Sequence, residues 1–192
     1  TFYVSKKSHV RCGESGVGGG AGGGTRVMNP TTIVYLVEGA SSRMWTVQIR
    51  GIDSTVRKTK IVCGKDAEAV ITERLLTHGK QHAESDMEIE LNGEDARGRV
   101  ISRSVAQDES KQIFHPVVVG NSKCFGHVQC DSTIMGKATI ESIPAITANS
   151  TDAQLIHEAA IGKIAGDQLL TLQTLGLTEE EAEDTIPKGF LA

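Results

Sequence analysis

A succession of short β-prone segments separated by turn residues runs through residues 31–143 and limits the folds open to this chain. Residues 87–91 alternate strictly between apolar and charged side chains, so one face of a strand would meet a core. Asn92-Gly93, a strong turn signal, follows directly. Many short strands with regular turns are typical of a sandwich, a barrel or a stacked solenoid. Periodicity does not choose among these three, and the 4% aromatic content favours stacked aliphatic ladders only slightly.

Further segments share the β-branched or alternating pattern of strands. They are residues 31–37, 44–49, 59–63, 98–101, 112–119, 126–130 and 138–143. Residues 70–76 fit a strand and a helix equally well. Residues 1–30 are poorly patterned, and their glycine-rich run at 16–24 predicts a flexible loop. A dinucleotide-binding turn would need a buried strand before this run and a helix after it, and neither pattern is visible.

The chain changes period near its end, where two short helices are predicted. The first has an apolar face formed by Leu169, Leu172 and Leu175. Asp167 is suited to cap its start. Gly176 supplies the residue that turns left-handed after a helix. As a purely structural element, such a helical pair would cover the open end of a solenoid.

The second helix has a clear start signal. Thr178 followed by Glu181 forms a capping box, and acidic residues in the first turn are favoured by the helix dipole. Pro187 and Gly189 are expected to end this helix, because proline lacks the N–H that an interior turn needs. The sequence therefore predicts three parts: a glycine-rich N-terminal segment at 1–30, a β-core at 31–160 and a helical hairpin at 161–192.

The composition excludes several classes of function. A net charge of −4 and a pI near 5.9 do not predict a nucleic-acid partner. The densest basic group is interpreted as a solvated strand face and consists of Arg43, Arg50, Arg57, Lys58 and Lys60. No apolar run reaches the roughly 20 residues that span a membrane, and the first residues lack the apolar centre of a secretory signal. We therefore expect a cytoplasmic protein. The sequence begins at Thr1 without methionine, which suggests a fragment of a longer chain.

Four cysteines occur without a CxxC pair, so zinc-ribbon spacing is absent and free thiols are expected. Cys63 and Cys124 are interpreted as core residues and Cys12 as a thiol in a mobile loop.

His78 and His82 have the i, i+4 spacing of a helical metal pair. Gly79 weakens a helix there, and no zinc site is predicted.

The C-terminal residues carry a specific resemblance. The segments 157–164, 167–169, 176–182 and 189–191, beginning with His157-Glu158-Ala159, resemble the C-terminal signature of the SufB/SufD family. These proteins are scaffold subunits of a bacterial and archaeal iron–sulfur cluster assembly system. The resemblance extends back to about residue 87, and it implies a short or truncated member. It also implies a mainly β fold: a right-handed parallel β-helix followed by a small helical hairpin.

The resemblance also assigns candidate ligands. In the family a cysteine followed by Asp-Ser or Asp-Ala precedes a His-Glu-Ala motif, which matches Cys130, His157 and Glu158 here. Cys130 would receive sulfur or bind the cluster, with His157 and Glu158 as further iron ligands. A mixed thiolate, imidazole and carboxylate site holds iron less firmly than four thiolates, which suits a cluster that must be released. Because His157 and Glu158 are consecutive, a strand would point them to opposite faces. This favours assembly across a subunit interface.

The implied partners are a second SufB/SufD-like subunit, identical or different, a sulfur-donor protein, and a SufC-like ABC-type ATPase docking at the hairpin. The cofactor is a transient iron–sulfur cluster, and the resemblance leaves open whether a flavin assists. The chain would be a scaffold and not an enzyme. The alternative is a partner subunit that docks the ATPase and completes the dimer without binding iron. A weaker third possibility is a β-helical enzyme acting on saccharides, although no paired carboxylates can be located.

Overall fold

The computed structural model describes residues 1–17, 24–164 and 166–191. The described strands are β1 (Phe2–Val4), β2 (His9–Val17), β3 (Val27–Met28), β4 (Thr31–Leu36), β5 (Ser41–Arg50), β6 (Ser54–Cys63), β7 (Glu68–Thr77), β8 (His82–Leu91), β9 (Ala96–Ala106), β10 (Lys111–Gly120), β11 (Cys124–Ile134), β12 (Thr139–Ser142), β13 (Ala145–Ala148) and β14 (Ala153–Lys163). Two helices follow, α1 (Gly166–Thr174) and α2 (Glu179–Leu191).

The strands coil into a parallel β-solenoid of about five turns, which decides among the three architectures that the sequence left open. Sheet A has the order β1-β4-β6-β8-β10-β12, with β13 beside β10 and β3 beside β6. Sheet B has the order β14-β11-β9-β7-β5-β2. Ser54 pairs with His82 and His82 with Lys111, so one coil takes 28 or 29 residues here. The predicted mainly β fold with a small helical part is therefore confirmed.

Alternation along each strand sends every second side chain into the space between the sheets. Stacking in register then builds ladders of like residues from one coil to the next. Ile61, Ile89 and Val118 form one such ladder, and all three are buried. Aliphatic residues of this shape fill most of the narrow interior, as the low aromatic content suggested, and Phe114 adds one buried ring among the described core residues.

The turns between strands also stack. Asn121 Nδ2 donates to Asn92 Oδ1 at 2.6 Å, and Asn149 Nδ2 donates to Asn121 Oδ1 at 2.7 Å. Asp66 and Asp95 adopt positive φ angles of 54° and 58°, a region that aspartate tolerates better than most residues. These asparagines recur at the coil period, so the sequence does contain a repeat signal although no exact repeat is legible in it.

Several strand boundaries differ from the predictions. The sheets include β1 and β2, so pairing begins before residue 31, and β14 continues past residue 160. The ambiguous segment 70–76 lies within β7. Cys12 lies in β2 and not in a loop, because β2 pairs with β5 in parallel register. Of the glycine-rich run, residues 18–23 lie outside the described part of the chain.

The hairpin helices agree in part with prediction. Glu181 Oε2 accepts from the Thr178 backbone N–H at 2.8 Å, and the Glu181 N–H donates to Thr178 Oγ1 at 3.2 Å, which confirms the capping box. Gly176 has φ +98°, as predicted. Asp167 does not precede the first helix, since α1 begins at Gly166.

The prediction that Pro187 and Gly189 end the second helix is wrong, because α2 continues to Leu191. Pro187 is buried, and this packing offsets the backbone hydrogen bond that proline cannot make. The helix lies against β7 and β9, where the outward-facing Val105 is fully buried. The hairpin therefore packs on the outer face of sheet B.

Within the described ranges, neither helix is both long and apolar enough to cross a membrane.

The buried thiol of Cys63 makes stability depend on alkaline pH. Burial raises the pKa of Cys63 to about 12 from an ordinary value of 9.0. Between these values the folded state binds more protons, so stability is full below pH 9 and falls as pH rises toward 12. We expect wild type to lose about 1.4 kcal/mol between pH 8 and pH 10 through this group, at about 1.36 kcal/mol for each pKa unit.

Urea unfolding under reducing conditions at the two pH values tests this expectation. Cys63→Ala should lack this part of the alkaline loss, whereas the control Cys12→Ala should retain it. An equal pH dependence in Cys63→Ala and wild type would contradict the assignment.

Candidate functional site

Cys130 lies on the inward face of β11, one strand from the edge of sheet B. Its side chain is 1% exposed and belongs to the hydrophobic core. The Sγ atom lies 3.8 Å from Ser132 Oγ. Burial raises the pKa of the Cys130 thiol, and the nearby Ser132 hydroxyl partly opposes this effect. In this conformation the sulfur is held as a protected thiol beneath the last coil.

His157 and Glu158 lie on the edge strand β14 and point to opposite faces, as the strand alternation predicted. His157 pairs in register with Val128, while Ala159 pairs with Cys130. His157 and Cys130 are therefore diagonal neighbours on the inward face. The His157 Nε2 atom is buried and has no hydrogen-bond partner among the described residues. An unsatisfied buried imidazole nitrogen is costly, and such a nitrogen is suited to bind a metal.

Glu158 is exposed on the outer face of sheet B. Its Oε2 atom lies 3.3 Å from His127 Nε2 on β11. The structure therefore brings Cys130 and His157 to the inner face of sheet B and places Glu158 on its outer face. His127 is a neighbour of the candidate site that sequence reasoning missed, although its outward position follows from the alternation of β11.

A buried polar network occupies the interior beside the candidate site. Glu73 accepts hydrogen bonds from Ser85 Oγ at 2.6 Å and from Ser102 Oγ at 2.8 Å, and lies 3.8 Å from Arg57 Nη1. The residues Glu73, Ser102 and Cys130 occupy successive coils at one register position. Glu73 and Ser102 of this network therefore stack in the same ladder of inward-facing side chains as Cys130.

Arg57 corrects the interpretation of the basic group as a solvated face. Arg43 and Lys58 are exposed and Lys60 is half-buried, but Arg57 is only 2% exposed. Alternation explains the difference, since β6 points Arg57 inward and Lys58 outward. Once it is known which residues of β6 face inward, a charged residue at such a position indicates a buried charge.

Cys63 and Cys124 agree with their interpretation as core residues. Cys63 and Cys124 are buried, and all four cysteines are free. His78 and His82 do not share a helix, because His82 begins β8 and follows a turn.

The last coil leaves an apolar end exposed. β14 is the edge of sheet B, and β12 is the edge of sheet A at the same end of the coil order. Large apolar side chains between 43% and 47% exposed lie on or beside these strands: Ile143, Ile146, Ile156 and Ile161. An edge strand with unpaired backbone groups and exposed apolar neighbours is a template for pairing with another chain.

Comparisons with known proteins all match the same family. The family model described as "SUF system FeS cluster assembly, SufBD core domain" matches residues 4–190. An iron–sulfur cluster assembly SufBD family protein of Methanocaldococcus jannaschii is 33% identical over 88% of this chain and 54% of its own length. One from Pyrococcus horikoshii is 34% identical over 76% of this chain and 33% of its own length. One from Synechocystis is 28% identical over 96% of this chain and 39% of its own length. The chain thus spans about half or less of the length of these relatives.

Proposed function

Because this chain belongs to the SufBD family of SUF-system iron–sulfur cluster assembly proteins, we propose that it is a scaffold subunit and not itself a catalyst. Iron and sulfur are its cargo. The observation that carries the proposal is the placement of Cys130 and His157 as diagonal neighbours on the inward face of sheet B. His157 lies on β14, the exposed edge strand. A thiol and an unsatisfied imidazole nitrogen so arranged form the beginning of a mixed iron site.

The exposed end of the solenoid supports assembly across an interface. A second SufBD-type subunit, identical or different, would pair along β14 and cover Ile156 and Ile161, which are both 45% exposed. Glu158 points away from Cys130 and is exposed. It is therefore suited to bind iron together with ligands that the partner supplies. The interface would thus complete a donor set that the described residues of one chain do not bring together.

Sulfur would arrive from a donor protein as a persulfide. The Cys130 thiolate would attack the outer sulfur of the donor's persulfide, so that a new S–S bond forms and the donor's thiolate leaves. The Cys130 sulfur is buried and its pKa is raised, so this step requires β14 to move and admit the donor. Ferrous iron would then be held by the persulfide sulfur and His157 on the inward face, while Glu158 would serve the part of the site that the second subunit completes.

An ABC-type ATPase would supply that movement. The helical hairpin presents Leu170 and Leu175 to solvent, with 58% and 74% exposure, and these side chains are suited to an apolar docking contact. Since α2 lies against β7 and β9, a force on the hairpin is transmitted to sheet B, to which β11 and β14 belong.

The burial of Cys130 favours a second candidate function. A partner subunit that docks the ATPase and completes the dimer without binding iron would need no accessible thiol. In that case Cys130 would be a packing residue, as Cys63 is.

Anaerobic reconstitution with ferrous iron and sulfide separates the two functions. If the chain is a ligating scaffold, wild type should gain the visible absorbance of a cluster. Cys130→Ala should lose nearly all of it, and the matched buried control Cys63→Ala should keep it. His157→Ala should reduce the yield at least severalfold. Equal iron and sulfide content in wild type and Cys130→Ala would overturn the site. Retained ATPase binding without any cluster would favour the structural partner.

A further inference from the structure

The outer face of sheet A carries a second group of side chains of metal-ligating type, on the opposite sheet from Cys130. Strand β8 points His82, Glu84 and Asp86 outward at alternate positions, and all three are half-buried. His115 lies on the neighbouring strand β10 in direct register with Asp86. Two strands of one rigid sheet therefore hold these side chains together.

The ligand atoms are close enough to share one ion. His115 Nδ1 lies 2.7 Å from Asp86 Oδ1 and 3.8 Å from Glu84 Oε1. One ligand atom from each of Glu84, Asp86 and His115 lies within 4.8 Å of the others. A metal at about 2.0–2.2 Å from each donor requires separations of this order. His82 Nε2 lies 3.9 Å from Glu84 Oε2, beside this group of three.

The charge along β8 is unevenly compensated. Lys60 Nζ lies 3.1 Å from Glu88 and 2.5 Å from Glu90, and the hydrogen bond to Glu90 raises the Lys60 pKa. In the described ion pairs, the partners of Glu84 and Asp86 are instead histidines. The two carboxylates are about one-third exposed, so their charges are less screened than on an open surface.

Two lysines of β6 line the same depression as the cluster. Lys58 is in register with Asp86 on β6, but its side chain is exposed to solvent. This shallow depression of about 290 Å³ lies beside the cluster, and Asp86 and His115 contribute to its lining. It leaves room for water molecules to complete the coordination of a bound ion.

We propose that Glu84, Asp86 and His115 bind one divalent first-row transition-metal ion. The imidazole nitrogen favours Zn²⁺ or Fe²⁺ over Mg²⁺ and Ca²⁺, which prefer oxygen donors alone. The ion would bridge β8 and β10. The site stands on sheet A, and it does not depend on the proposed role of Cys130.

Calorimetric titration with Zn²⁺ tests the site in the full chain. The protein should carry Cys12→Ser, because Cys12 is only half-buried and a thiol would compete for zinc. We expect one tight ion per chain, undisturbed by excess Mg²⁺. Asp86→Asn and His115→Gln should each weaken zinc binding by at least about tenfold. Glu90→Gln, on the same face of β8 but outside the cluster, should leave the affinity unchanged.

Thermal unfolding provides a second measurement on the same variants. Zinc should raise the melting temperature of the parent and of Glu90→Gln, and should not raise that of His115→Gln. Circular dichroism in the absence of metal should show that all variants keep the parental β-signal, since the substituted side chains are on the surface. Equal zinc affinity in Asp86→Asn, His115→Gln and the parent would overturn the proposal, as would competition by Mg²⁺ at similar concentration.

Discussion

Replacing Glu73 with alanine is expected to destabilise the fold by about 3–5 kcal/mol, the usual cost of removing one partner of a buried ion pair. Glu73 and Arg57 are 1% and 2% exposed and lie 3.8 Å apart. The substitution removes this carboxylate from beside a buried cation, and it also removes the acceptor of Ser85 and Ser102. Buried donors that lose their acceptor add to the cost. Urea unfolding followed by circular dichroism measures the loss.

A double variant separates the effect of leaving one buried charge unpaired from the effect of losing side-chain volume. Arg57→Met combined with Glu73→Leu removes both charges and fills similar space, so we expect it to lose less than half as much stability as Glu73→Ala. Glu73→Gln keeps an acceptor for the serines and should lie between the two. If Glu73→Ala cost less than about 1 kcal/mol, the network would not be important for stability.

Gly93→Ala is expected to cost about 3 kcal/mol or more, because an added methyl group would meet backbone and not a movable side chain. A Cβ atom on Gly93 would lie 2.0 Å from the Lys65 backbone nitrogen and 2.3 Å from the Gly64 carbonyl carbon. These atoms belong to the turn of the preceding coil. Relief of the clash would have to separate two stacked turns and weaken the ladder hydrogen bonds beside them.

The matched control is Gly13→Ala, since a Cβ there meets no atom within 4 Å. Its free energy of unfolding should stay within about 0.5 kcal/mol of wild type. Both variants should be compared by urea unfolding under the same conditions. A loss for Gly93→Ala no larger than that for Gly13→Ala would show that the turns are not tightly stacked.

The sequence alone was informative where the signal is local. Strict alternation in residues 87–91 correctly gave one buried and one exposed face, and it continues through all of β8. The Thr178–Glu181 capping box and the left-handed Gly176 also followed from short-range chemistry. The prediction for Pro187 is wrong because local propensity favours ending a helix there, whereas burial of the proline allows α2 to continue.

The candidate sites depended more strongly on the tertiary structure. The sequence named Cys130, His157 and Glu158 and predicted that the last two point apart, but it did not reveal that the Cys130 sulfur is sealed in the core. The group around Asp86 and His115 was not predicted at all, although His82, Glu84 and Asp86 stand at alternate positions. His115 joins them only through register across a full coil.

The sequence by itself determined the type of element, the two faces of the clearest strands and the family to which the chain belongs. The tertiary structure decided the phase of β6, which sends Arg57 inward beside Glu73, and the register that places His115 next to Asp86. The physical reason is the period of two along a strand: a shift of one residue exchanges its buried and exposed faces. Only pairing between coils, 28 or 29 residues apart in these strands, fixes that choice.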